Sequence, residues 1–465
     1  MSALAGKLVL VLGLGESGLA MARWCARQGA RLRVADTRAR PPGSDELRRF
    51  APQAELLTGA FTNALLDGVD LLALSPGLDP RGGVVAEARR RGLPVVGEMS
   101  LFAAALDELG ARAATRVLAV TGTNGKTTTT ALAAHLARAA GVDAVAAGNI
   151  SPAPLAVLAD RLDAGAALPA CWVLELSSFQ LEAAEGFGAD AATVLNVTDD
   201  HLDRYAGLDE YAATKAHIFA GGGVQILNRQ DARVAAMALP GRALRSFGTD
   251  APTGPGDYGI VEADGRRWLA EGAQRVLALD ELPLAGLHNA ANALAALALC
   301  RAIGLPLDAL AAGLKTFKGL PHRVELVAER ADGVLFYNDS KGTNVGATLA
   351  ALDGLARTVV LIAGGDGKGQ DFSPLREPVA RYARAVILIG RDAGHIADAL
   401  AGCGSALEHA ADLDAAVARA NALAEPGDVV LLSPACSSLD MFRNYPQRAE
   451  VFVAAARRLP GVSPR

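Results

Sequence analysis

Cysteine is scarce, with five in 465 residues at positions 25, 171, 300, 403 and 436. They are odd in number and widely spaced, and no C-x-x-C pair occurs, so neither a disulfide framework nor a zinc ribbon is indicated. That usage fits a reducing, cytoplasmic setting. No apolar run reaches the ~20 residues that cross a bilayer. A formal net charge of −5 leaves no basic surplus for nucleic acid or an anionic membrane surface. Short-period repeats and long low-complexity tracts are missing, which argues against a solenoid. The apolar start, Leu8 to Gly13, runs straight into a glycine-rich turn carrying Glu16 and reads as a first strand, not a secretory leader.

What is present is ordinary globular material: 51% hydrophobic, 20% charged and long enough for two to four domains. Apolar strands are predicted at 8–12, 31–35 and 69–74, with a helix from 98 to 110. A second series follows at 116–120, 144–147, 172–176, 191–197 and 224–227, then a surface turn at 250–258 and a buried helix at 289–303. A third series is predicted near 334–337, 359–363, 386–389 and 429–432. Continuous apolar strands alternating with helices indicate parallel sheets covered on both faces. Junctions near 111–115 and 315–320 divide the chain into 1–112, 113–319 and 320–465. The expected fold class is α/β with three domains: Rossmann-like N- and C-terminal units flanking a central P-loop ATPase unit.

Between the strand ending at Val120 and a helix-forming run lie Gly122, Thr123, Asn124, Gly125, Lys126, Thr127 and Thr128. Glycines let backbone N–H groups approach phosphate oxygens, the lysine supplies a point charge, and the hydroxyl can sit on Mg²⁺ at a helix N-terminus. A nucleoside triphosphate is the expected ligand, against the alternative of a plain strand–turn–helix. Gly13, Gly15 and Gly18 form a second glycine turn, G-x-G-x-x-G, with Asp36 at the end of the next strand. Alone this is a dinucleotide fingerprint, although its geometry serves any nucleotide diphosphate. Two nucleotide-like ligands, one a triphosphate, suit a ligase acting on a UDP-linked substrate better than hydride chemistry.

Further polar clusters fall at strand ends, where ligands gather in open α/β sheets. Glu175 is placed to meet Mg²⁺, a hard cation that prefers oxygen; a salt-bridged strand-end acid is the alternative. His201, in the 196–205 segment, reads equally as a metal ligand or a satisfied polar residue. Lys215 looks by pattern like an exposed helical lysine. In the third unit, Arg323, Lys341 and Lys368 are cations suited to phosphate or carboxylate.

Taken together, G-T-N-G-K-T (122–127), G-N-I (148–150), L-E-L-S-S-F-Q-L-E (174–182), D-H-L-D-R-Y (200–205), H-N-A-A-N-A (288–293), L-P-H-R (320–323), N-D-S-K-G-T-N (338–344), G-G-D-G-K (364–368) and L-S-P-A-C-S-S-L-D (432–440) resemble the Mur ligase family over essentially the whole chain. N-D-S-K with S-P-A-C-S-S-L-D favours its D-glutamate-adding members. The resemblance implies that Gly15, Ser17, Asp36, Thr37, Arg38, Ser75 and Gly77 hold the uracil and diphosphate of a nucleotide-sugar, with Asn149 and His201 at the substrate–metal centre. It implies ATP at residues 122–128 with Asn289, Asn292, Arg323, Asp339 and Lys341. Thr127, Glu175, His201 and Lys215 as a carbamate would form the metal environment, which reverses the pattern-based reading of Lys215. Lys126, Glu175, His201, Lys215 and Arg323 would be catalytic. Thr343, Lys368, Ser438, Leu439 and Tyr445 would receive D-glutamate. Gly342 and Tyr445 depart from the family pattern, which has alanine and phenylalanine there.

The implied reaction is ATP-dependent amide formation between UDP-N-acetylmuramoyl-L-alanine and D-glutamate through an acyl phosphate, in peptidoglycan precursor synthesis, by a monomer that uses Mg²⁺ and neither nucleic acid nor membrane insertion. Hydrolysis of such an intermediate predicts closure of the third unit before chemistry. Other readings are an L-alanine-adding ligase, a folylpolyglutamate synthase, a Rossmann oxidoreductase with an appended ATPase, and a non-catalytic nucleotide-binding regulator.

Overall fold

Apolar strands collect into three sheets among residues 3–200, 204–284 and 286–465, which the computed structural model describes. In the first sheet β1 (Leu8–Leu12), β2 (Arg31–Asp36), β3 (Glu55–Thr58), β4 (Leu71–Leu74) and β5 (Val95–Val96) are all parallel, in the order β3-β2-β1-β4-β5. The order reverses between β1 and β4, so a crevice opens at their carboxyl ends, where the first glycine turn emerges. The sequence reading missed β3, because Glu55–Thr58 is short, partly polar and largely exposed at the sheet edge. What it took as the third strand is the fourth.

The second sheet holds β6 (Arg116–Thr121), β7 (Ala144–Gly148), β8 (Cys171–Glu175), β9 (Ala191–Val194), β10 (Val224–Asn228), β11 (Leu244–Phe247), β12 (Tyr258–Ala263), β13 (Arg266–Glu271) and β14 (Gln274–Ala278). Its order is β14-β13-β12-β11-β10-β9-β6-β8-β7, parallel except for the β12–β14 meander. That meander was not expected. The segment read as a surface turn at 250–258 ends on Tyr258, which is fully buried at the start of β12. By contrast, β6 and β8 are nearly unbroken apolar runs because helices cover both their faces.

The third sheet contains β15 (Glu325–Arg330), β16 (Leu335–Asn338), β17 (Val359–Gly364), β18 (Ala383–Ile389), β19 (Ala406–His409), β20 (Val429–Leu432) and β21 (Val462–Pro464), in the order β19-β18-β17-β20-β16-β15-β21. Its centre is parallel as predicted, while β15 and β21 add an antiparallel edge.

Packing divides the chain into two compact units. One contains the first two sheets with residues 292–314. The other contains residues 315–465 with 279–291 and 198–200. In the first unit a single core joins the two sheets: Phe102, on the helix Glu98–Glu108, meets the fully buried Trp172 of β8 edge-to-face at 4.9 Å. Such a pair contributes about 1 kcal/mol beyond its buried area. All five cysteines are free, and no helix among the described residues is long and apolar enough to cross a membrane.

Candidate active site

The centre of the first unit is the turn that follows β6. Gly122 (φ +145°) and Gly125 (φ +83°) occupy backbone regions that favour glycine. A Cβ on Gly125 would also lie 2.4 Å from Asn292 Oδ1. Gly125 starts the helix Lys126–Ala139, whose first N–H groups therefore face the turn. The loop is held from below by Asn196, just past β9: its Oδ1 accepts from Asn124 N–H at 2.8 Å and its Nδ2 donates to Asn124 O at 3.1 Å. Thr129 Oγ1 donates to Asn292 Oδ1 at 3.3 Å, tying the helix Leu287–Ala302 to the loop. Asn289 lies one turn earlier on that helix and is buried as well.

Lys126 Nζ donates to Gly122 O (2.9 Å) and Thr123 O (2.7 Å). Lys215 Nζ donates to the same Gly122 O at 2.9 Å. Two ammonium nitrogens therefore lie less than about 6 Å apart. Like charges that close, one of them buried, oppose each other unless a counter-charge joins them or one loses its proton. Lys215 is not the exposed helical lysine its pattern suggested. It is 1% exposed, on the last turn of the helix Leu208–Ala216, with Nζ 4.3 Å from the centre of the Tyr211 ring. Exposed and buried helix faces both carry polar residues here, so periodicity gave no warning.

At the end of β8, Glu175 is buried. Its Oε1 accepts from Asn149 Nδ2 at 2.7 Å, whereas Oε2 has no hydrogen-bond partner among the described residues. A buried carboxylate oxygen without a donor is costly unless a cation completes it. Gly148 (φ +102°) brings the Asn149 loop close: its Cβ would sit 2.3 Å from Glu175 O. An oxygen-preferring divalent ion fits this donor set, with Thr127 beside the loop lysine. No cluster of three or more His, Cys, Asp or Glu side chains able to hold a metal occurs among the described residues. His201 lies outside those residues.

The first glycine turn is built differently. Gly13 has φ +83°, and a Cβ on Gly18 would meet Gly13 O at 1.9 Å. Asp36 is buried at the end of β2, where Oδ2 accepts from Leu14 N–H at 2.7 Å. Arg38 forms a two-point pair with it (2.8 and 2.6 Å) and, as the main cause, pulls the Asp36 carboxyl down to about 2. Ser75 Oγ donates to Gly13 O at 3.0 Å. Thr37 and Gly77 are exposed beside this crevice, and Gly15 and Ser17 are half-buried in the turn.

The second unit gathers the N-D-S-K and S-P-A-C clusters. Asp339 Oδ2 accepts from Ser433 Oγ at 2.7 Å, and burial pushes its carboxyl up to about 7. A Cβ on Gly342 would lie 2.4 Å from that Oδ2 and 3.0 Å from Ser433 Oγ, so this arrangement excludes the family's alanine without a shift of Asp339. Lys341 Nζ stands 4.0 Å over the Tyr445 ring. Lys341 N–H donates to His322 O at 3.1 Å, which places Arg323 next to this cluster in the chain. Thr343 is half-buried and Ser438 buried. Lys368, in the left-handed region at φ +51°, and Leu439, 66% exposed, face solvent.

One residue that sequence reasoning overlooked holds the two clusters together. The buried Arg448 donates to Ser340 Oγ (3.0 Å), Ser340 O (2.8 Å) and Cys436 O (3.1 Å), and burial lowers its guanidinium to about 10. An arginine one residue before Ala449 and four before Phe452, both buried on the helix Tyr445–Arg457, was the available signal. Asn196, which braces the phosphate loop, opens the 196–205 segment, where the sequence reading gave it no task.

Comparison with known proteins agrees with this geometry. Residues 7–97 match the Mur ligase MurD-like N-terminal domain, 120–300 the Mur ligase middle domain and 322–436 the Mur ligase glutamate ligase domain. A UDP-N-acetylmuramoylalanine–D-glutamate ligase of Aromatoleum aromaticum is 72% identical over 463 residues, covering 99% of each chain. The chain belongs to the Mur ligase family. A ligase of the same name from Burkholderia mallei is 54% identical, covering 96% of each chain. Among solved structures, MurF from Acinetobacter baumannii is similar with a TM-score of 0.61 at 18% identity, covering 98% of this chain and 93% of that one. UDP-N-acetylmuramate-alanine ligase MurC from Thermotoga maritima gives 0.58 at 19%, covering 96% and 98%. These two likenesses show that the Mur ligase fold extends along the chain.

Proposed function

We propose that this Mur ligase joins D-glutamate to UDP-N-acetylmuramoyl-L-alanine in peptidoglycan precursor synthesis, with ATP converted to ADP and phosphate. The observation that carries the catalytic part of this reading is the convergence of Lys126 and Lys215 on Gly122 O, together with the bare carboxylate oxygen of Glu175.

The alanyl carboxylate attacks the γ-phosphorus of ATP, ADP leaves, and a mixed anhydride forms. Lys126 and the N–H groups that open its helix offset the charge that develops on the transferring phosphoryl oxygens. The D-glutamate amine then attacks the acyl carbon, loses a proton, and phosphate departs with one former carboxylate oxygen. Mg²⁺, when bound, draws charge off the phosphate oxygens. Glu175 Oε2 and Thr127 would hold it, with His201 assigned by family resemblance. Lys215 joins them as a carbamate, formed when its neutral amine adds CO₂ and releases a proton; this replaces the second cation near Lys126 with an anion. Asn289, Asn292, Arg323, Asp339 and Lys341 are assigned to ATP. Gly15, Ser17, Asp36, Thr37, Arg38, Ser75, Gly77 and Asn149 are assigned to the nucleotide-sugar, and Thr343, Lys368, Ser438, Leu439 and Tyr445 to D-glutamate. All come from one chain, so a monomer suffices, and the expected setting is the cytoplasm.

The test is ADP release from UDP-N-acetylmuramoyl-L-alanine with D-glutamate, L-glutamate and L-alanine compared. Release with D-glutamate alone is expected. Equal release with L-alanine, or none with any of the three, would refute the assignment.

A further inference from the structure

Three helices of the first unit begin at one place: Glu16–Arg27, Glu98–Glu108 and Pro154–Asp163. Two carboxylates sit among their first turns. Glu16 Oε1 accepts from Ala153 N–H at 3.0 Å and Oε2 from Ser151 Oγ at 2.5 Å, which ties the first glycine turn to the loop carrying Asn149. Glu98 is the buried one, 2% exposed. The Ser17 hydroxyl approaches its carboxyl from the glycine turn, Leu155 N–H lies 3.4 Å from Oε1, and Oε2 has no partner among the described residues. The backbone around Glu98 is fixed, since Gly97 N–H and Ser100 Oγ both donate to Ala183 O at 3.0 and 3.1 Å. A side chain with so few donors, pinned between two substrate loops, is badly placed to be a permanent anion.

We propose that Glu98 is a positioning residue for the nucleotide-sugar: protonated, it leaves the turn that receives the diphosphate with no charge behind it, and ionised, it draws the Ser17 hydroxyl back onto its carboxylate, places a buried negative charge behind that turn and weakens binding. The proposal rests on the assignment of Ser17 to the nucleotide-sugar. Burial is the main cause that pushes Glu98 up to about 7, and the charge of Glu16 adds to it, against smaller opposite pulls from Ser17 and Leu155. The helix start on which Glu98 stands favours the anion, but burial outweighs it. Of the other charged groups on the packed elements, Glu182 is paired with Arg204, while Asp160 and Asp163 are paired with Arg23. Asp107 and Glu108 lie at the far end of the same helix. His217, on the neighbouring chain segment, has its ring nitrogen 3.3 Å from Leu181 O.

The experiment is calorimetric titration of the full chain with UDP-N-acetylmuramoyl-L-alanine at pH 6 and pH 8.5. The diphosphate diester of this ligand does not titrate between those values. Wild type should bind roughly five- to tenfold more weakly at pH 8.5, the scale of one unit of differential protonation. Glu98→Gln should bind equally at both, and KM for ATP should not move in either protein. Flat wild-type affinity overturns the proposal by itself, whether or not the variant folds. A pH response retained in Glu98→Gln also overturns it, because the response then comes from another group. ADP release measured alongside separates this outcome from failure of the ligase reading, because binding is read without turnover.

Discussion

The two glycine turns of the first unit share a plan and differ in charge. Both leave a parallel strand, both open a helix, and both need glycine where a Cβ would strike neighbouring atoms. The turn at 122–127 ends on a lysine folded over its own carbonyls, with a second lysine behind it. The turn at 13–18 carries no cation. Its Leu14 N–H is already taken by Asp36, and Glu16 and Glu98 stand at its back. Glycine geometry therefore grants approach to a phosphate, whereas the surrounding charge decides what is done with it. On the proposed assignment the cationic turn stabilises phosphoryl transfer, and the acid-backed turn holds a diphosphate that does not react.

Lys126→Ala should show the largest effect. Losing a point charge on the transferring phosphoryl group costs on the order of 10²–10³ in turnover. Calorimetric affinity for the nucleotide-sugar should stay unchanged; joint loss of both would erase the distinction between the turns. Gly18→Ala is the mirror experiment. A Cβ 1.9 Å from Gly13 O forces the backbone apart, so a destabilisation of about 2–3 kcal/mol in denaturant melts is expected, with nucleotide-sugar binding lost before ATP binding.

Glu98→Gln probes the acid behind the turn through stability. The folded-state value of Glu98, about 7, lies above its ordinary 4.5. The wild type thus keeps its full stability below about pH 4.5 and loses part of it as pH rises through 7. At pH 8.5 the glutamine variant should be more stable by roughly 2–3 kcal/mol, a gain that vanishes near pH 4. A gain constant from pH 4 to 8.5 would mean that the carboxyl keeps its ordinary value in the fold. Asp36→Asn should have the smallest effect: about tenfold weaker nucleotide-sugar binding, as the Arg38 pair and the Leu14 contact lose their charge, with KM for ATP unaltered.

Much of this contrast was legible in the chain itself. The strand–glycine–helix order around Gly122 and Gly13 is local, so residue spacing carries it, and the continuous apolar runs of β6, β8, β17 and β20 announced buried parallel strands. What stayed hidden depends on partners distant in sequence. Lys215 is buried because Gly122, 93 residues away, supplies an acceptor, and no periodicity records that. Arg448 is satisfied by Ser340 and Cys436, and Glu98 is stranded by the packing of two other helices. The strands β13 and β14 and the edge strand β3 escaped because partly exposed, partly polar strands look like loops.

The most direct measurement follows one oxygen atom. UDP-N-acetylmuramoyl-L-alanine labelled with ¹⁸O in both alanyl carboxylate positions is turned over with ATP and D-glutamate, and the phosphate is analysed by mass spectrometry. Activation of the carboxylate by phosphoryl transfer predicts one ¹⁸O in each phosphate and the other in the new amide. Phosphate released without label would contradict the account.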